Sequence, residues 1–239
     1  MVISFTITAI LLVLCGIFIK KDKNKNLILK IFAIATVIIH YSDLWYGYFD
    51  TKINFTIENN HILPVYPCNV MMWMLFAASL IKNKNSVAFK ILADCCAFIG
   101  IVCGSVGIIF NINFGNTPTL ADYYILKGLL SHSTMLFGCI YMLVGKYVKV
   151  RVSNTISITC GLACFVLCGL FVNGLFSACG MEAPDGMFLK SNPYIPISPM
   201  LLGIPAILIL FGIFALVELK LPKEERWYSL LKKKFAKSK

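Results

Sequence analysis

A cysteine, two histidines, an aspartate and several amides stand within stretches of this chain that are otherwise almost wholly apolar, and these are the residues able to do chemistry. Cys68 follows Pro67 and precedes Asn69. Proline favours the first turn of a helix. A helix opening there would aim unpaired amide N–H groups and the positive end of its dipole at the Cys68 sulfur, and both stabilise a thiolate. His132, flanked by Ser131 and Ser133, would complete a nucleophile by serving as its base. The same residues also read as a packing cysteine and an unrelated histidine satisfied by its serines. His40 and Asp43 lie three residues apart, hence on one helical face. They form a structural polar pair, a proton relay or a base-orienting pair. Asn111, Asn113 and Asn173 add further amides.

The elements that must hold these groups follow from composition. Of 239 residues, 59% are hydrophobic and only 14% charged, against about 45–50% and 25% in ordinary soluble domains. Lipid must be part of the solvent. Apolar runs span 2–19, 27–47, 63–81, 91–114, 123–144, 156–176 and 200–217. Each is close to the ~20 residues that cross a bilayer as a helix. None alternates as a barrel strand would. The expected fold is all-α, a polytopic domain of seven transmembrane helices over residues 1–219, with a basic tail at 220–239. No residues remain for a separate soluble catalytic domain.

Charge sets the expected orientation. The net charge of +11 is not gathered into a nucleic-acid-binding patch: nineteen of the 22 basic residues fall in alternate connections and the tail, leaving Lys52, Lys127 and Lys190 on the other side. The positive-inside rule then puts the N-terminus outside and the C-terminus in the cytoplasm. The first run has no basic n-region and no cleavage site before Lys20, so it reads as a span. Trp227, Leu230, Leu231 and Phe235 recur at helical spacing among the tail lysines. That pattern suits a helix lying on the anionic inner leaflet, or basic charge that only fixes topology.

Ionisable groups inside a span cost roughly 2.5–3.5 kcal/mol each, so their positions are informative. Counting inward at 1.5 Å per residue puts Asp43, Cys68, His40 and His132 at depths of about 6, 8, 10 and 14 Å from the outer interface. Asn69, Asn111, Asn113 and Asn173 fall in the same layer, to which five helices contribute. Asp94 is the exception and reads as interfacial, near the cytoplasmic end of span four. The remaining in-span cysteines, three of them at 160, 164 and 168 along one face, read as small packing residues. Cys179 is in an outer loop without a partner. No CxxC pair occurs, and no metal site, disulfide or cofactor is expected. Asn54-Phe55-Thr56 matches a glycosylation sequon of a kind that arises by chance. Pro193, Pro196 and Pro199 set an extended segment before the last run.

Leu63-Pro64 and Cys68-Asn69 opening one span, Ser131-His132 in a later one, then Asn173, Met187-Phe188-Leu189 and a proline before the last span form a recognisable set. In these, residues 62–217 resemble the YwaF-type integral membrane proteins, the bacterial branch of the family containing eukaryotic transmembrane protein 164. The resemblance implies a seven-helix fold in a bacterial cell membrane, and a lipid acyltransferase that passes an acyl group through a cysteine with histidine assistance. Cys68 would be the acyl acceptor, His132 its activating partner, and Asn173 a site residue by motif position. Just before the cysteine, where the bacterial pattern often has a histidine, this chain has Tyr66-Pro67.

Three functions compete. An acyltransferase or acyl hydrolase would act on membrane phospholipids through Cys68 and His132, with Asn69 or helix N–H groups holding the oxyanion and Ser131, His40, Asp43 and Asn173 in support. A proton-coupled or small-molecule transporter would instead depend on His40, Asp43 and His132. A membrane scaffold would use the polar layer only to fix helix register.

Overall fold

In hydrocarbon a backbone amide finds no water, so an apolar run satisfies itself by winding into a helix. The computed structural model describes residues 2–42, 44, 65–109, 120, 122–180, 185–189, 199–229 and 232. Among them seven helices of at least 14 residues follow in order: α1 (Val2–Phe18), α2 (Asp22–His40), α3 (Pro67–Leu80), α4 (Val87–Ile109), α5 (Tyr123–Val144), α6 (Asn154–Ala178) and α7 (Pro199–Leu219). Each falls on one of the apolar runs, and no strand occurs among the described residues. By length and composition α4, α5 and α6 can cross a membrane, while α3 and the Gly203–Leu219 part of α7 are shorter apolar helices.

Local chemistry moves several boundaries. α2 begins at Asp22 rather than at position 27, with an acidic residue in its first turn to complement the dipole. It stops at His40, short of position 47. Tyr66, extended at φ −114° and ψ 151° as a residue before proline must be, caps α3. The Ser86 and Asp122 side chains accept the Phe89 and Ile125 N–H groups and so fix the starts of α4 and α5.

α5 lies at the centre and packs against α1, α2, α3 and α4, while α6 packs on the first half of α4 and α7 on α6. Met71, Met72 and Leu75 of α3 meet Met135, Cys139, Tyr141 and Met142 of α5 in a core without solvent exposure. Close approach of α4 and α5 depends on a stripe of glycines. A β-carbon at Gly104 would come within 2.9 Å of Leu136 Cβ, and one at Gly100 within 2.4 Å of Cys139 Sγ. Small residues one turn apart are the usual means of bringing membrane helices together. A π-turn at Cys96–Gly100 interrupts α4 at this point. The apolar side chains of Leu167, Leu170 and Phe171 on α6 and of Leu208, Ile209 and Leu216 on α7 remain exposed, forming faces suited to lipid.

Asp94, near the start of α4, is buried, and its carboxylate accepts hydrogen bonds from Asn154 Nδ2 at 2.7 Å and Ser157 Oγ at 2.8 Å, tying α4 to the start of α6. Those partners are not visible in hydropathy. A second buried carboxylate, Glu218, accepts the backbone N–H groups of Val152 at 2.8 Å and Trp227 at 2.9 Å. Trp227 accordingly packs against the core. Its tail companions Leu230, Leu231 and Phe235 lie outside the described residues.

Candidate functional site

Pro67 opens α3, which puts Cys68 in its first turn, half-buried. The Asn69 backbone N–H donates to Tyr66 O at 3.0 Å, closing the first turn. The thiol donates to Asn69 Oδ1 at 3.5 Å, and the Asn69 amide Nδ2 donates to His40 Nε2, also at 3.5 Å. Asn69 and His40 are both buried. His40 ends α2, so the chain Cys68–Asn69–His40 joins two helices at the end of the bundle opposite its lysine-rich connections. Beside it the His40 ring meets the Tyr41 ring edge-on at 5.0 Å, and Tyr41 Oη accepts the Trp73 indole N–H at 2.7 Å. Asp43, the expected companion of His40, lies outside the described residues, as do Asn111 and Asn113.

His132 is held differently. Its Nδ1 bonds the Gly128 carbonyl at 2.8 Å. A carbonyl only accepts, so Nδ1 carries the proton and Nε2 is the basic nitrogen. Ser131 also donates to Gly128 O, at 3.1 Å, and Ser133 donates to Leu129 O, so both serines serve the backbone and not the ring. The ring lies flat against α4: a β-carbon at Gly107 would stand 2.0 Å from His132 Cδ2 and 2.5 Å from Nε2. α3, which carries Cys68, packs against the second half of α4, the same half that meets the His132 ring at Gly107.

Asn173 is tied to a short strap rather than to the thiol. Its Oδ1 accepts the Gly186 N–H at 2.8 Å, and the Met187 N–H donates to Val65 O at 2.7 Å, two residues before α3 begins. Phe188 stacks on Tyr66 with ring centroids 5.4 Å apart. Met187 and Phe188 both take left-handed backbone angles, φ 58° and 53°. Gly169 lets the strap lie on α6, since a β-carbon there would sit 2.7 Å from Gly186 O. The Met187-Phe188-Leu189 motif thus braces the entry to the cysteine helix. Asn173→Ala strands the Gly186 N–H and is expected to cost about 1–3 kcal/mol. Denaturant unfolding, with faster proteolysis at 185–189, checks this.

Two participants escape a reading based on polar depth. Lys127, counted only as an orienting charge, is buried in α5, the helix that carries His132. The other is the glycine series at 100, 104 and 107, whose spacing is visible in the sequence.

A sequence model described as the TMEM164 family matches residues 1–220. No curated protein and no solved structure matches the chain. With apolar helices over most of its length and a family match that ends just past α7, this chain is an integral membrane protein belonging to the TMEM164 family.

Proposed function

We propose that the chain crosses the bilayer seven times, N-terminus outside, and moves acyl groups of membrane phospholipids through Cys68. The observation that carries this reading is an imidazole whose Nε2 is kept as a proton acceptor against the half of α4 on which the cysteine-bearing helix α3 packs. The Cys68 sulfur attacks a phospholipid ester carbonyl as its proton passes to His132 Nε2. The Cys68 N–H, in the first turn of α3, and the Asn69 side-chain amide steady the oxyanion. Collapse breaks the ester C–O bond, and the lysolipid oxygen takes the proton from His132, leaving a thioester on Cys68. An incoming hydroxyl, of a lipid or of water, then gives its proton to His132 and attacks the thioester. The Cys68 sulfur leaves and recovers the proton. Asn69 and His40 position the thiol through their hydrogen bonds, and the basic tail at 220–239 holds to the anionic inner leaflet of what would be a bacterial cell membrane.

The test uses the full chain in nanodiscs with a phospholipid carrying a labelled acyl chain. Label released by hydroxylamine is expected on the wild type and on Cys164→Ser, and absent from Cys68→Ser. Equal labelling of the two variants overturns the proposal. Substrate or proton flux that survives Cys68→Ala, without labelling, would favour a carrier instead.

A further inference from the structure

At the lysine-rich end of the bundle the connections between α1 and α2, α3 and α4, and α5 and α6 converge on a recess of about 480 Å³. Four lysines line it, Lys25, Lys82, Lys84 and Lys146, against a single acid, Asp22. That acid is almost fully exposed and lies 3.9 Å from Lys25. Among the described residues Lys82, Lys84 and Lys146 pair with no carboxylate.

The recess has a built floor. Phe89 and Tyr147 meet edge-on with ring centroids 5.7 Å apart, and Tyr147 Oη donates to Asn26 Oδ1 at 2.7 Å. Lys84 is not a loose surface cation: it lies 4.5 Å above the Phe89 ring, and its Nζ donates to Ala78 O at 2.9 Å at the end of α3. Burial, and after it the charge of Lys30, lower the Lys84 ammonium to about 8. Asn83 and Asn85 add neutral donors at the rim. Three gathered lysines without a carboxylate partner among the described residues, beside amide donors and over an aromatic floor, call for an anion with several acceptor oxygens. The volume falls within the ~300–1,000 Å³ of small-molecule sites.

We infer that this recess binds a phosphate group, borne either by the headgroup of an anionic phospholipid or by a free phosphate. Basic pockets among membrane helices commonly hold lipid headgroups. The site is remote from Cys68, so it stands or falls independently of the acyl-transfer chemistry.

The experiment follows the thermal midpoint of the full chain in phosphatidylcholine nanodiscs. One arm adds phosphatidylglycerol to the bilayer and the other adds inorganic phosphate at fixed ionic strength. A rise with phosphatidylglycerol alone identifies a headgroup site, and a rise with inorganic phosphate identifies a free-phosphate site. Lys82→Gln/Lys146→Asn is expected to weaken the half-saturation by about 30-fold, at roughly fivefold per lysine. Asparagine at 146 tolerates the left-handed φ of 63° found there. Lys82→Gln alone, at an exposed position, gives about a fivefold loss and guards against misfolding of the double variant. Lys23→Gln/Lys149→Gln, equal in charge, exposed and at the same end of the bundle but outside the recess lining, is expected to bind as the wild type does. No rise with either anion, or equal loss in the pocket and control variants, overturns the inference.

Discussion

Cys68→Ala is expected to lower acyl transfer at least ~1,000-fold, as loss of a covalent nucleophile does. His132→Ala is expected to lower it about 100- to 10,000-fold, the range of a general acid–base group. Because sulfur and imidazole act as one unit, the double variant should be no slower than Cys68→Ala. His40→Ala gives a smaller loss, since His40 is joined to the sulfur through Asn69. Turnover of a labelled phospholipid, with thermal midpoints to show that each variant folds, measures all four. Should His40→Ala lose as much as Cys68→Ala while His132→Ala keeps near-normal turnover, the base is His40 and the role given to His132 is wrong.

The second large effect comes from a residue with no functional group. Gly107→Ala would put a methyl group 2.0 Å from His132 Cδ2, where no heavy atom can stay. The ring must then leave its bond to Gly128 O, or α4 must move away from α5. Overpacking of this kind costs about 1–3 kcal/mol. The expected result is a midpoint drop of that order together with a loss of turnover approaching that of His132→Ala. A conservative comparison is Gly174→Ala on α6, where an added β-carbon meets nothing within 4 Å. It is expected to leave both quantities unchanged. If Gly107→Ala keeps full turnover, the position of the His132 ring does not matter to catalysis.

The helices were legible because hydropathy is a bulk property, and each apolar run overlaps one of α1 to α7, with ends displaced by several residues. The start of α3 was legible for a local reason: proline fixes its own φ and pushes Tyr66 into extended backbone. The contacts among polar residues were harder to read. Depth along a helix follows from counting residues, but which neighbour a side chain faces depends on rotation about the helix axis. Counting therefore put His40, Cys68 and His132 in one layer without showing that Asn69 lies between the first two. The partners of Asp94 were hidden for the same reason, since its two donors come from residues 60 and 63 positions away. The serines beside His132 were read as ring partners, yet in a helix a short hydroxyl more readily reaches the carbonyl one turn back.

The strap at Gly186–Phe188 stores a cost that the helices do not. Two adjacent side-chain-bearing residues in left-handed geometry forfeit roughly 1–2 kcal/mol each, offset by the burial of Met187 and by the bonds to Asn173 and Val65. Such a segment detaches as a unit while the bundle stays intact. Deuterium is accordingly expected to enter the Gly186 and Met187 amides well before those of α5, so that the clasp at the entry to the cysteine helix loosens while the bundle holds.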